Sequence, residues 1–546
     1  MTDVLVPEDK ITHGSTKEER ARYILKKYPE RKLPFETESI CDQCLLENNE
    51  VRVIKMTVYE ENGKAMLKKT CPVHGETVDV YWGDAKLLER AFKYWYKSIG
   101  LDNPRTKIVK GCPEDCGLCP FHKSHTALAL IDITNRCNLR CPICFANAAH
   151  SGTVYEPTPE QIYEILKNLR ANRPVPAPAV QFAGGEPTVS EHLPQYIKWA
   201  KELGFKHVEI ATNAIRIANS LKYAKKLKEA GLSTLYMQFD GLTPEPYIAA
   251  RGEDLLPKKL QAIENARKAG LNSIVLVPTL VRGLNDDQVG DIINFAVENR
   301  DVVRGVNFQP VSITGRINRE ERNNMRITIP DLIHLMDEQT DGRIKPHDWY
   351  PVPAMLPIGR VLGLLKGRPQ LELSCHPACG AATFIIMDED GKDYEPITKY
   401  INVDNFLKTL EGINNDLVNG GRISRMKAKF RIAGSIRHFK KKGILKDLLN
   451  AFFNRGDYDS LAEFMQRVIM VSAMHFQDPY NIDLERVQHC DINYGIPDGR
   501  IIPFCTMNTI HRPRVEEKFS VSIKEWLASK KKLTEVEKDS VREALE

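Results

Sequence analysis

The sequence predicts an α/β protein built on a parallel sheet of six strand-helix units, closed or partly closed, with metal-binding segments before and after it. Strand and helix signals alternate at regular intervals through the middle of the chain, and polar residues collect where the strand signals end. The 13 cysteines are not scattered but fall into clusters with the spacing of metal ligands.

The units follow one another in order. TALALIDIT (126–134) reads as a buried strand and PEQIYEILKNLRAN as the helix after it; PAVQFA and HLPQYIKWAKELG form the second pair. HVEIAT is followed by SLKYAKKLKEAG, LSTLYMQFD by LQAIENARKAG, NSIVLVPTLV by DDQVGDIINFAVENR, and GVNFQPV closes the series. Strands joined through helices run parallel, and such sheets bind ligands at the carboxyl ends of their strands. At 546 residues the chain exceeds what one core serves. Three domains are expected: 1–104 with the first cysteines, 105–345 with the sheet and a cysteine segment leading into it, and 346–546 with the last cysteines. Proline-rich RIKPHDWYPVPAMLP marks the second boundary.

Composition is globular, 42% hydrophobic and 27% charged. No run of about 18 apolar residues is present, and the first thirty residues are too charged for a secretion signal. A cytosolic protein is expected, with peripheral membrane contact left open. An odd number of cysteines in such a chain argues for thiolate metal sites in a reducing compartment.

The sharpest motif is Cys137, Cys141 and Cys144 in ITNRCNLRCPICFANAAH, directly after the first strand. A closed metal site uses four protein ligands, so three thiolates around an iron-sulfur cluster leave one iron free. Gly184, Gly185 and Glu186 follow the second strand: glycine lets backbone approach a ligand, and Glu186 can take a cationic amine. Asn213 ends the third strand, Gln238 and Asp240 the fourth, Thr279 and Arg282 the fifth, all able to hold a ribose, an amine or a carboxylate, or to serve as turn residues.

These residues resemble the radical S-adenosylmethionine (SAM) enzymes: CxxxCxxC after the first strand, GGEP after the second and a six-unit pattern over residues 126–312. Phe145, directly after the third cysteine, fits as well. The resemblance implies a partial (β/α)6 barrel in which Cys137, Cys141 and Cys144 carry a 4Fe-4S cluster. The open iron would be chelated by SAM, and Phe145, Gly184, Gly185, Glu186, Asn213, Gln238, Asp240 and Arg282 are the expected cofactor contacts. An electron from the cluster would release a 5'-deoxyadenosyl radical, so a low-potential donor such as a ferredoxin is an expected partner.

The other cysteines resemble accessory metal sites. Cys41, Cys44 and Cys71 resemble rubredoxin knuckles, with His74 where the last cysteine would stand, so iron and zinc are both open. Cys112, Cys116 and Cys119 repeat the C-x3-C-x2-C spacing, with His122 favoured over His125 as a fourth ligand. Cys375, Cys379, Cys490 and Cys505 suffice for a second auxiliary 4Fe-4S cluster and would tie the C-terminal segment onto the barrel.

From residue 35 to 515 the motifs together resemble the archaeal tetraether lipid synthases, some of whose relatives have carried a pterin C-methylase name. The resemblance implies carbon-carbon coupling between terminal carbons of isoprenoid lipid chains, with an archaeal diether lipid as substrate. C-methylation of a dihydro-hydroxymethylpterin or similar small heterocycle is the alternative, and a zinc-knuckle nucleic-acid-binding protein a third reading; no nucleic-acid partner is expected. Residues 422–455 carry eleven Lys or Arg against one acid, Asp447, with interleaved apolar residues, the pattern of a helix on an anionic membrane surface or of a solvated basic helix.

Overall fold

The computed structural model describes residues 20–148, 152–388, 393–434, 467–529 and 534. Near the N-terminus, strands Phe35–Ile40, Val53–Glu61, Lys64–Cys71 and Gly75–Trp82 form an antiparallel meander in sequence order. The second and third are joined through Asn62 and Gly63 at φ 51° and 78°, the left-handed pair that asparagine-glycine hairpins use. Alternation in the second strand buries Ile54, Met56 and Val58. Met56 and Val58 share a core with Leu88 and Phe92 of the following helix, Ala85–Phe92.

Six strands then pair in parallel: Leu128–Thr134, Ala179–Gly184, His207–Thr212, Thr234–Gln238, Ile274–Val277 and Val303–Pro310. They are the six units legible in the sequence. Covered on both faces, they read as apolar runs; Ile131, Phe182, Ile210, Leu235, Leu276 and Val306 are at most 1% exposed. The helices between them start where chemistry requires: Thr158 and Gln161 form a capping box before Pro159–Arg170, and the helix Leu256–Ala269 ends at left-handed Gly270.

The sheet does not end at these six. Val468–Met474 pairs in parallel with Val303–Pro310 and carries antiparallel Gly380–Met387 outside it. On the opposite edge Ile492–Gly495 pairs in parallel with Leu128–Thr134 and carries Ile501–Pro503. Chain from beyond residue 346 therefore flanks the barrel on both sides, a connection no local pattern announces. The proline-rich stretch expected as a linker is instead packed, with Ile344 and Trp349 buried and Tyr350–Pro351 paired to Ala381 and Ala382. Of the basic stretch, Gly421–Gly434 is helix, with Ile423, Met426 and Phe430 exposed, and residues 435–455 lie outside the described residues. Among the described residues no helix is long and apolar enough to cross a membrane.

One buried ion pair stitches the N-terminal segment to the cysteine-bearing C-terminal half. Arg360, 2% exposed, donates to Glu372, 1% exposed, and to the carbonyls of Ile24 at 3.2 Å and Lys97 at 3.0 Å. Glu372 also accepts from the Ile99 amide at 3.0 Å, and its own amide donates to His125 Nε2 at 3.1 Å. Glu372→Ala, which leaves the guanidinium buried without its anion, is expected to cost about 3–5 kcal/mol. Urea denaturation against the parent protein measures it, and a loss below about 1 kcal/mol would contradict a structural role for the pair.

Candidate active site and metal centres

The loop after the first barrel strand is fixed by its backbone. Thr134 O accepts from Gly185 N at 2.8 Å and Arg136 O from Glu186 N at 2.9 Å, so the second strand end crosses against the start of the cysteine loop. A Cβ on Gly184 would lie 2.0 Å from Thr134 O and one on Gly185 2.3 Å from Arg136 O. The glycines are thus needed for backbone against backbone. Further along, arginines grip the loop carbonyls: Arg140 donates to Cys137 O at 2.8 Å, Arg316 to Cys141 O at 2.6 Å and Arg251 to Ile143 O at 3.0 Å. Arg316 and Cys144 exchange both backbone hydrogen bonds, and Gly315 beside them admits the approach because its Cβ would meet Cys144 O at 2.4 Å.

Cys137, Cys141 and Cys144 line a cavity of about 300 Å³ at the carboxyl ends of the strands, together with Phe145, Gly184, Gly185, Glu186, Asn213 and Gln238. Burial pushes the Cys137 and Cys141 thiols up, so without a metal they stay protonated. A single tetrahedral ion with bonds of about 2.3 Å holds sulfurs roughly 3.8 Å apart. Among the described residues only the N-terminal set meets such a spacing, with ligand atoms all within 4.8 Å of one another. Three thiols more widely spaced in one pocket fit a polynuclear iron-sulfur cluster better than a lone ion.

Not every expected contact faces the cavity. Asp240 is fully buried and engaged by Arg251 through two hydrogen bonds of 2.8 Å, and it also accepts from Thr279 N at 3.2 Å. Arg282 turns outward to Arg326 O at 2.9 Å and Asp331 at 3.0 Å. These two residues hold the scaffold, because each finds a protein partner nearer than the pocket. Glu186 borders the cavity, but its carboxylate already accepts from Thr188 N, Thr188 Oγ1, Thr212 Oγ1 and Asn213 N at 2.5–3.0 Å. Burial still drives its carboxyl up. Two residues went unread in the sequence. Arg251 sits in the last turn of Pro244–Arg251, and Lys259, fully buried, donates to Asn213 O at 2.6 Å and Gln238 Oε1 at 2.7 Å. Burial brings Lys259 down to about 7. Neither stands at a strand end, the signal that exposed the others.

The N-terminal set is closed. His74 Nδ1 lies 3.4 Å from Cys41 Sγ and Cys44 Sγ and 3.8 Å from Cys71 Sγ. Amide N-H groups of Cys44 and Val73 point at Cys41 Sγ and Cys71 Sγ, as they do where thiolates are ligands. In the Cys112, Cys116, Cys119 set, Thr506 Oγ1 donates to Cys116 Sγ at 3.3 Å. His122 Nε2 is committed to Cys490 O at 2.7 Å, so only its Nδ1 remains for a metal, and His125 Nε2 accepts from Glu372 N.

The four distant cysteines are brought together. The amide of Ser374, next to Cys375, donates to Asp491, next to Cys490, at 3.1 Å, while Cys379 O accepts from His475 N at 3.0 Å and Cys505 Sγ from Gln477 N at 3.3 Å. The two edge extensions achieve this, one delivering Cys379 beside Gly380–Met387 and the other Cys490 and Cys505 around Ile492–Pro503. Cys505 and its neighbour Phe504 also line the main cavity, where Phe504 meets Phe145 at 5.6 Å between ring centroids.

Two family models match: the Radical SAM superfamily over residues 131–296 and the HMPTM N-terminal zinc ribbon domain over residues 33–83. A 7,8-dihydro-6-hydroxymethylpterin dimethyltransferase of Methanocaldococcus jannaschii is 50% identical over 498 residues, covering 90% of this chain and 96% of that one. The chain is a radical SAM enzyme of that relative's family. A GTP 3',8-cyclase of Alkaliphilus oremlandii is 29% identical over 269 residues, 48% of this chain and 78% of its own. Among solved structures, SuiB of Streptococcus suis bound to the precursor peptide SuiA is 18% identical with a TM-score of 0.32, covering 40% of this chain and 46% of that one.

The radical SAM assignment brings a 4Fe-4S cluster and SAM, and the three-thiol pocket accommodates such a cluster. It also corrects the lipid reading: the relative that spans nearly the whole radical SAM chain is named for a pterin, not for isoprenoid lipid chains. The cysteine motifs behind that expectation report how metal is held and carry no record of substrate. For the ribbon, His74→Ala is expected to remove about one metal ion per chain, since a tetrahedral site loses a quarter of its shell. Elemental analysis beside sulfide content checks it, and unchanged zinc plus iron would refute the Cys3His site.

Proposed function

We propose that this radical SAM enzyme methylates a pterin of the 7,8-dihydro-6-hydroxymethylpterin kind. The observation that carries the reading is the 50% identity to the pterin dimethyltransferase across 90% of one chain and 96% of the other. When bound, the cluster and SAM supply a 5'-deoxyadenosyl radical able to take hydrogen from an unactivated C-H bond, and the methyl group that replaces that hydrogen comes from a separate one-carbon donor such as a second SAM. Cys137, Cys141 and Cys144 hold that cluster, and Phe145, Gly184, Gly185, Asn213 and Gln238 border the SAM position. Cys41, Cys44, Cys71 and His74 hold zinc as a structural clip. Cys112, Cys116 and Cys119 hold one auxiliary cluster, and Cys375, Cys379, Cys490 and Cys505 another.

The inner face of the barrel suits a flat heterocycle with amide-like edges. Gln181, Tyr236, Asn307 and Gln309 project into the cavity from three strands. Gln181 Nε2 donates to Glu209 at 2.6 Å, which leaves its carbonyl as an acceptor toward the cavity. Tyr236 Oη accepts from Asn307 Nδ2 and, at 2.8 Å, from Gln309 Nε2, so its own proton is available to a ligand. A donor and an acceptor in a site otherwise walled by Leu128, Leu130, Met474 and Phe476 fix orientation while the walls exclude water.

An anaerobic reaction of the iron-reconstituted protein with reductant, SAM and 7,8-dihydro-6-hydroxymethylpterin tests the proposal by mass spectrometry. Methylated pterin together with 5'-deoxyadenosine is expected, and both are expected to vanish in Cys141→Ala, which strips a cluster ligand. Formation of 5'-deoxyadenosine without methylated pterin would overturn the substrate and leave the radical chemistry standing. Tyr236→Phe is expected to raise KM for the pterin about tenfold, the equivalent of one lost hydrogen bond of about 1.4 kcal/mol. An unchanged KM would remove Tyr236 from substrate recognition.

A further inference from the structure

Four other buried arginines among the described residues each face a carboxylate: Arg136 with Glu156, Arg326 with Asp478, Arg360 with Glu372 and Arg512 with Asp132. Arg486, in the short helix Leu484–Gln488, is just as buried at 2% exposure and breaks the pattern. Its Nη2 donates to the His475 carbonyl at 2.8 Å, its Nε has no partner, and it stands among the cysteine segments: the His475 amide donates to Cys379 O at 3.0 Å, the Gln477 amide to Cys505 Sγ at 3.3 Å and the Cys490 amide to Val487 O at 3.2 Å. The groups that most favour its charge are Cys379, Tyr81 and Cys505, none of them a carboxylate. Asp483 lies on the same helix start, but its carboxylate is taken by Thr37 and Tyr81, each at 2.8 Å.

A buried cation without an anion costs several kcal/mol, on the order of what breaking a buried pair costs. Neutral thiols do not compensate it. Metal coordination changes that balance because a ligating thiol is deprotonated outright. Four thiolates around a 4Fe-4S core of charge +2 leave a net charge of −2, the anion that Arg486 lacks.

We infer that Arg486 is the counter-charge of an anionic iron-sulfur centre held by Cys375, Cys379, Cys490 and Cys505, and that it raises the reduction potential of that centre. The inference rests on the proposal that these four cysteines hold a cluster. A buried cation beside a cluster favours the more negative, reduced state. Arg486 is therefore a positioning and tuning residue, set among the cysteine segments and outside the lining of the substrate cavity.

The test is an EPR-monitored redox titration of the reconstituted full chain, with iron and sulfide counted, for the parent, Arg486→Gln, Arg486→Lys and Cys379→Ala. At the parent's midpoint, Arg486→Gln is expected to lower the reduced-to-oxidised ratio of the auxiliary centre at least tenfold, which is about 59 mV for one electron. Arg486→Lys is expected to stay within about threefold of the parent, since the charge is kept. An unchanged midpoint in the glutamine variant at full iron content would overturn the inference. Where the glutamine variant fails to hold iron, retention in the lysine variant supports charge compensation, and equal loss in both overturns it. Unchanged iron, sulfide and EPR signals in Cys379→Ala would show that the centre itself is absent, a failure distinct from that of the arginine.

Discussion

The structure depends on one close crossing. Gly184 and Gly185 bring the end of the second barrel strand against the carbonyls of Thr134 and Arg136 at the start of the cysteine loop. Because those hydrogen bonds are made by backbone, the loop's position follows from the sheet register rather than from any side chain. Glu186, next in sequence, then collects four donors from the 187–189 turn and the third strand, so three strand ends are locked in one plane around the cavity. Arg140, Arg251 and Arg316 complete the clamp from outside by binding loop carbonyls, which leaves the thiols free for metal.

A second consequence comes from the sheet edges. Strands added on both sides of the six-strand core flank the C-terminal cysteines, and of these Cys505 lines the same cavity. In the inference drawn from Arg486, its buried guanidinium would be compensated by these thiols once iron ionised them. The same logic separates this region from the N-terminal ribbon, whose four ligand atoms are close enough for one ion and need no bridging sulfide.

Much of this was legible in the sequence because it is local. TALALIDIT and its five successors are uninterrupted apolar runs with helices between them, and they became the six parallel strands. CDQC and CPVH are short spacings, and the hairpin between them closed the Cys3His set as expected. What was not legible depends on contacts hundreds of residues apart or on helix faces. Arg282 stands at a strand end yet points outward because Asp331 and the Arg326 carbonyl are nearer than the cavity. Arg251, Lys259 and Arg486 matter through burial alone, which a polar residue in a helix does not advertise. The substrate was least legible, since cysteine spacing specifies a cluster and says nothing of the molecule placed beside it.

The most direct measurement of the account is the iron and sulfide content of Gly185→Ala, with circular dichroism to show that the fold is kept. The added methyl would sit 2.3 Å from Arg136 O, so the loop must shift. The account predicts loss of the iron and sulfide of one cluster, about four of each, with the ribbon metal retained. A variant that keeps its full iron and sulfide and forms 5'-deoxyadenosine at the parent's rate would contradict the claim that this backbone crossing builds the site.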